Sequence, residues 1–402
     1  MNNRKVVVTG MGAVTSLGLN LKDTWDGIVN GRSGINLIRS FDTSDSITQI
    51  AAEVPDSFKE AAKELIPKRI ISQMTKVAQF CYVSALEAVQ DSGLNLDAVD
   101  KNRAAVIIGA TNSGFFNGDD SSNYILKGML NSFSAWISMN YGFKGPNYTV
   151  NTACASSAYA MSLGYDMIKN GEADIVVTGG TESMISKEGI AGFNELMALS
   201  ENNNAVGKAC RPFDKKRDGF VMGEGSGVLV LEDLESALKR NARIYCEFAG
   251  HALISESYNI VAPEKNGEGM ARCMKKALEN SNTLPEAIDY INAHGTSTYY
   301  NDMYETMAVK KVFEDRAPKI PFSSSKSMIG HTLGAAGAIE GIITVMGMYN
   351  SLIPPTINYS EPDPKCDLDY VPNKARNSVI NGALSNSFAF GGHDATLVFK
   401  KI

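Results

Sequence analysis

The chain has 402 residues, 44% of them apolar and 20% charged, and a net charge of −6 from 38 basic and 44 acidic side chains. That profile excludes a disordered chain, and the lack of a Lys/Arg block excludes the electrostatic footprint of a nucleic-acid binder. No run of about 18 apolar residues marks a membrane span, and Val6-Val7-Val8 is interrupted at Gly10 and Gly12 too soon for a signal peptide.

Strand-like and helix-like stretches alternate along the chain. Lys5–Val8 reads as a strand and Met74–Asp91 as a helix, with apolar side chains at Val77, Phe80, Cys81, Ala85 and Val89. Ala104–Ile108 is a strand, Tyr148–Val150 another, Ser156–Asn170 a helix of small residues, and Asp174–Thr178 and Gly225–Leu231 buried strands. The pattern predicts an α/β protein whose mainly parallel sheet is covered on both faces. Gly10-Met-Gly12 follows a strand, but Thr15 occupies the third glycine position of a dinucleotide fingerprint, so no nicotinamide or flavin site is expected.

The second half echoes the first. Val6–Val8 before a Gly-rich stretch matches Tyr245–Phe248 before Gly250, and the small residues after Cys154 match Gly334-Ala-Ala-Gly-Ala338 after His331. Asp218–Gly227 running into Val228–Leu231 matches Asn386–Gly392 running into Thr396–Phe399. A duplicated unit with a site between its halves follows: residues 1–240 would carry a nucleophile and residues 241–402 two histidines.

Six cysteines (Cys81, Cys154, Cys210, Cys246, Cys273, Cys366) show no paired spacing, which argues against a metal site or disulfide framework and for reduced cytoplasmic thiols. Cys154 stands out because Tyr148–Val150 leads through a turn into a helix that starts at the sulfur. The positive end of a helix dipole would lower its thiol below about 8.5. Only four histidines occur, and His294, His331 and His393 lie in glycine-rich turns, where backbone can approach a ligand; His393 is expected to be structural. A protease of the Cys-His type needs one imidazole as base. Two imidazoles donating together suit an enolate oxygen, and Lys326 adds a positive charge five residues before His331. Carbon–carbon chemistry on a thioester fits this set best.

Thr152-Ala-Cys-Ala155, Arg211-Pro-Phe-Asp214, Arg217-Asp-Gly-Phe220, Gly223-Glu-Gly225, His294-Gly-Thr-Ser-Thr298, Lys326-Ser, Gly330-His331 and Asn386-Ser-Phe388 occur in that order. The sequence therefore resembles the β-ketoacyl-[acyl-carrier-protein] synthases, Cys-His-His condensing enzymes of the thiolase superfamily, from Lys5 to Ile402. The resemblance implies a thiolase fold of two βαβαβαββ halves in a five-layer αβαβα sandwich, with acyl carrier protein as partner, no cofactor, and a homodimer or a heterodimer with a related ketosynthase-like subunit. It implies catalytic roles for Cys154 as acyl acceptor, His294 and His331 as the decarboxylation pair, and Lys326 and Glu305 as supports. Backbone N–H groups of Cys154 and Phe390 match the oxyanion hole. Asn112, Phe388, Phe390, Thr296 and Thr298 match the pocket and its gate, Asp302 a structural network, and Lys68, Arg69, Lys76 and Lys127 a carrier-protein docking patch.

Departures from the family pattern are a shortened segment between Asn112 and Trp136, Ala389 for Gly, Asp394 for Asn, and Asn112 at an apolar gate position. They point towards a specialised polyene or polyketide synthase beside fatty-acid elongation. A chain-length-shaping subunit would lack Cys154, and a degradative thiolase would need a second cysteine in the Phe388–Gly392 turn; neither condition is met. A synthase subunit active only beside a chain-length-factor-like partner stays open.

Overall fold

The computed structural model describes residues 4–114 and 122–402. Among these, ten strands make the main sheet: β1 (Val6–Val14), β2 (Ala104–Gly109), β3 (Asn147–Val150), β4 (Ile175–Glu182), β5 (Gly225–Asp233), β6 (Cys246–Ser255), β7 (Tyr290–Asn292), β8 (Phe322–Ser323), β9 (Gly382–Ala389) and β10 (His393–Lys400). Their order is β3-β2-β4-β5-β1-β6-β10-β9-β7-β8. From either end the ladder reads the same way: three parallel strands, then two antiparallel ones. The two five-stranded halves join where Val6–Val8 pairs antiparallel with Cys246–Phe248. The duplication expected from the repeated segments is thus present in the topology.

Five helices complete the layers: α1 (Lys76–Ser92), α2 (Ser156–Lys169), α3 (Glu268–Asn280), α4 (Tyr299–Phe313) and α5 (Ala336–Asn350). Helices α2 and α5 pack against each other and against strands of both halves; α1 covers the outer face of the first half, and α3 with α4 that of the second. Twelve of the fifteen residues of α5 are buried, as suits a helix enclosed on all sides. The small residues seen in sequence explain the close central layer. A Cβ on Gly337 would come within 2.8 Å of the Ala158 Cβ.

The first strand does not break at Gly10 and Gly12; it runs on to Val14. A Cβ at either glycine would sit 2.2 Å from a carbonyl oxygen of α1, Ala88 or Ser84. These glycines therefore admit a covering helix rather than a dinucleotide. Helix α1 itself is capped by the Thr75 side chain, which accepts the Ala78 N–H, and ends at Gly93 in the left-handed region. Among the described residues no helix is long and apolar enough to cross a membrane.

Candidate active site

Cys154 lies in the turn between β3 and α2, and its side chain is held by an unusual backbone. Ala153 has φ +49°, a conformation that costs a non-glycine residue energy and persists only where its surroundings enforce it. Here Asn151 Oδ1 accepts the Ala153 N–H at 3.2 Å, and Ser156 Oγ donates to the Ala153 carbonyl at 2.6 Å while accepting the Thr152 N–H at 2.9 Å. The turn aims the sulfur into a cavity of about 390 Å³ whose wall also contains His294, His331, Phe388 and Phe390.

Both histidines arrive from the second half. His294 follows β7, where Glu305 on α4 accepts the N–H groups of His294 and Gly295, each at 2.8 Å. His331 is tied to the 221–223 segment by its own N–H to Val221 O at 2.7 Å and by Gly223 N–H to His331 O at 2.9 Å. Each ring then has its Nδ1 occupied by a donor. Lys326 Nζ lies 3.4 Å from His294 Nδ1, and Leu333 N–H donates to His331 Nδ1 at 3.3 Å. An ammonium and an amide can only donate, so both rings keep their hydrogen on Nε2. The rings meet edge to face with centroids 5.3 Å apart.

Burial is the main reason both imidazoles sit well below their ordinary 6.5, with the Lys326 charge second, so both are neutral donors. Lys326 is fully buried, donates to the His294 carbonyl at 2.6 Å and pairs with Glu340 on α5. Burial raises Glu340 to about 7 against the pull of Lys326, and raises Glu305 to about 7 against its two backbone donors.

The thiol departs from the sequence expectation. Burial pushes Cys154 up to about 12, against the Lys326 charge and the N–H groups of Phe390 and Cys154 that point at the sulfur. Cys154 is only 8% exposed, and the hydration it has lost outweighs the helix end. Those two N–H groups nevertheless form a donor pair at the sulfur. Phe390 reaches that place because the β9–β10 turn passes through Gly391 and Gly392 at φ +83° and +70°, a region open chiefly to glycine.

The remaining expected residues divide. Thr296 and Thr298 line the cavity, hydroxyl to hydroxyl at 2.8 Å. Asp302 lies behind it, accepting the N–H groups of Phe213 at 2.8 Å and Ser297 at 3.2 Å, with Arg217 3.7 Å away. Asn112 does not line the cavity: its amide is bonded to the buried Glu182, which also accepts N–H groups of Thr111 and Gly334. Of the shortened segment it begins, residues 115–121 lie outside the described residues. Lys76 is not an open docking cation, because it pairs with the fully buried Glu224 at 2.5 Å. Lys68 and Arg69 are exposed on a short helix; Lys127 is half-buried on another. His251 bonds Asp166 at 3.0 Å, and His393 packs edge-on against Tyr159, both away from the cavity.

Sequence reading missed Glu340, Glu182 and Leu333. Glu340 had a signal: it is the one carboxylate in the apolar run Ala335–Met348, and a charge in such a run needs a buried partner. Leu333 acts through its backbone N–H, to which its side chain gives no clue.

A two-half sheet with a thiol from one half and two donor imidazoles from the other at a common cavity defines a condensing enzyme of the thiolase fold. The β-ketoacyl synthase N-terminal domain profile matches residues 3–237 and the C-terminal domain profile residues 245–360. The chain is 42% identical to the 3-oxoacyl-[acyl-carrier-protein] synthase 2 of Synechocystis sp. over 414 residues, covering 100% of this chain and 99% of that one. It is equally 42% identical to that of Coxiella burnetii over 415 residues, with both chains fully covered. Solved structures agree: the ishigamide ketosynthase/chain length factor (35% identity, TM-score 0.90, 99% of both chains) and a β-ketoacyl synthase from Burkholderia phymatum (33%, 0.90, 99% and 100%). A type II polyketide ketosynthase solved with its acyl-carrier protein, AntDE:AntF, superposes at TM-score 0.89 with 32% identity, covering 99% and 100%. The chain belongs to the β-ketoacyl synthase family, acyl-transferring enzymes that form carbon–carbon bonds in fatty-acid or polyketide elongation.

Proposed function

We propose that the chain elongates acyl groups carried on acyl carrier protein, with Cys154 as acyl acceptor. The observation that carries this reading is the convergence on one cavity of the Cys154 sulfur, the N–H groups of Phe390 and Cys154, and the Nε2–H edges of His294 and His331.

Cys154 Sγ attacks the carbonyl of an incoming acyl thioester. The tetrahedral oxyanion accepts from the N–H groups of Phe390 and Cys154, and the carrier thiol leaves with the proton that Cys154 gives up. A malonyl thioester then enters. Its C–CO2 bond breaks, CO2 departs, and the electron pair passes to an enolate whose oxygen accepts from both Nε2–H groups. Neutral imidazoles suit this step, because they donate without being able to protonate the carbanion. The enolate carbon bonds the acyl carbonyl, the Cys154–acyl bond breaks, and the released thiolate takes a proton from solvent as the 3-ketoacyl thioester leaves. Lys326 and Glu305 orient His294; Asp302 holds the turns behind it.

A second copy of this chain is the proposed partner at the β3 edge. Among the described residues β3 pairs only with β2, and the exposed Met139 sits on a helix that packs against it. The chain carries its own nucleophile and both histidines, which favours an enzyme active without a different subunit. Lys68 and Arg69 are the proposed contacts for the acidic carrier. Intact-protein mass spectrometry tests the whole reading. An acyl adduct on Cys154 that disappears as a product longer by two carbons forms with malonyl-carrier protein supports it, and the preferred primer separates fatty-acid from polyketide elongation. Failure of the folded chain to take up any acyl group refutes it.

A further inference from the structure

Two carboxyl groups in the cavity wall take no part in the chemistry above. Glu256 ends the β6 edge of the site and Asp394 lies in β10; they are 8% and 1% exposed. Their side chains are in hydrogen-bond contact, yet neither Glu256 Oε1 nor Asp394 Oδ2 has an N–H or O–H partner among the described residues. Glu256 Oε2 is satisfied separately by the Glu264 N–H at 2.8 Å. Two ionised carboxyls side by side in a buried wall repel, whereas one proton between them satisfies both orphan oxygens. Burial raises both groups above the ordinary carboxylate range, and the Glu256 charge adds to the rise at Asp394.

One cation faces the pair: Arg272 on α3, which also bonds Glu264 at 3.4 Å, pulls both carboxyls down. Burial outweighs it, and Glu264 from the adjoining loop and Glu305 from α4 add negative charge. Cys273 on α3 and Tyr159 on α2, the thiol and phenol that face Asp394, are both held protonated by burial.

The pair also joins two segments that matter to the site. Glu256 opens the 256–264 loop, and Asp394 follows the turn that carries Phe390. Gly391 N–H donates to Ile260 O at 2.8 Å and Glu256 N–H to Gly392 O at 2.9 Å across the same junction. A Cβ on Gly392 would meet the Glu256 Cβ at 2.9 Å, so the contact has no slack.

We propose that Glu256 and Asp394 are positioning residues whose single shared proton clamps the 256–264 loop to the 389–393 turn, and so holds the Phe390 N–H on Cys154. This rests on the reading of Phe390 as an oxyanion donor. Both carboxyls are raised, so the clamp is intact at lower pH and is lost as pH climbs through the upper titration of the pair, when the two anions push the turn from the sulfur.

The test uses the full chain and two readouts: the carboxylic-acid infrared band across a pH titration, and the pH profile of acyl transfer to Cys154 by intact mass. In Asp394→Asn the amide still donates to Glu256 but has no titratable proton to share. Glu305 and Glu340 keep their own bands near pH 7, so the readout is the wild-type minus variant difference spectrum. The pair's component is expected to be lost, and the alkaline fall of acyl transfer to move up by about one pH unit or more. Should Asp394→Asn misfold, Glu256→Gln is expected to give the same two changes. An unchanged band, or an unchanged pH profile despite loss of the band, overturns the proposal. A wild-type chain that takes up no acyl group at any pH while its band still titrates overturns the proposed function instead.

Discussion

Replacing Lys326 by Met strands Glu340 in a place where neither side chain of the pair exceeds 1% exposure. Removing one partner of a buried pair costs about 3–5 kcal/mol, since the other charge keeps its desolvation penalty and loses its compensation. Glu340 can limit that cost by taking a proton, which makes the loss depend on pH in a way the structure fixes. With Lys326 present Glu340 titrates at about 7, raised by burial from 4.5. Its folded value exceeds its unfolded one, so its stabilising proton is lost as pH rises, and in the wild type this decline ends near pH 7. Without Lys326 the folded value lies higher still, and the variant continues to lose about 1.4 kcal/mol per pH unit above 7 after the wild type has levelled. Urea unfolding of both proteins at pH 6, 7.5 and 9 measures the difference. It is expected to be smallest at pH 6 and to widen by about 2 kcal/mol towards pH 9, and Lys326→Met/Glu340→Leu is expected to remove the widening. A difference of the same size at all three values would refute the reasoning.

His331→Ala removes one Nε2–H from the enolate and is expected to slow CO2 release from malonyl-carrier protein by about 10²–10³-fold, while acyl loading of Cys154, followed by mass, continues. Because both imidazoles are held neutral by burial, the decarboxylation rate is expected to show no fall centred on pH 6.5; such a fall between pH 7.5 and 5.5 would contradict the assigned donor state. Their lowered values mean that stability is lost as pH drops below 6.5, where the unfolded imidazoles take up protons and the folded ones do not. Lys76→Ala is expected to lower the melting temperature through Glu224 without altering the KM for acyl-carrier protein. Lys68→Glu with Arg69→Glu is expected to raise that KM and flatten its salt dependence; unchanged KM in the pair variant removes them from the docking surface.

Much of this protein is legible in the chain. The small residues after Cys154 and after His331 marked two matching helices, and the repeated strand segments pointed to two like halves. Both follow from local composition and spacing, while the close approach of the two helices came only with the fold. Cys154, His294 and His331 could be picked out because each is a rare chemical type in a turn built of small residues, and Lys326 because it stands five residues before His331. What sequence could not supply was the balance of burial against local charge. The helix end at Cys154 is visible in the sequence, but the desolvation that overrides it depends on the walls brought by Phe388 and Leu333 from the other half. Lys76 reads as a surface cation until folding places Glu224 beside it, and Asn112 as a gate until Glu182 holds its amide. Glu256 and Asp394 stand 138 positions apart in the chain. Pairing of β6 with β10 alone makes them neighbours, and because electrostatic interaction falls with distance and grows with burial, only that tertiary contact decides their charge.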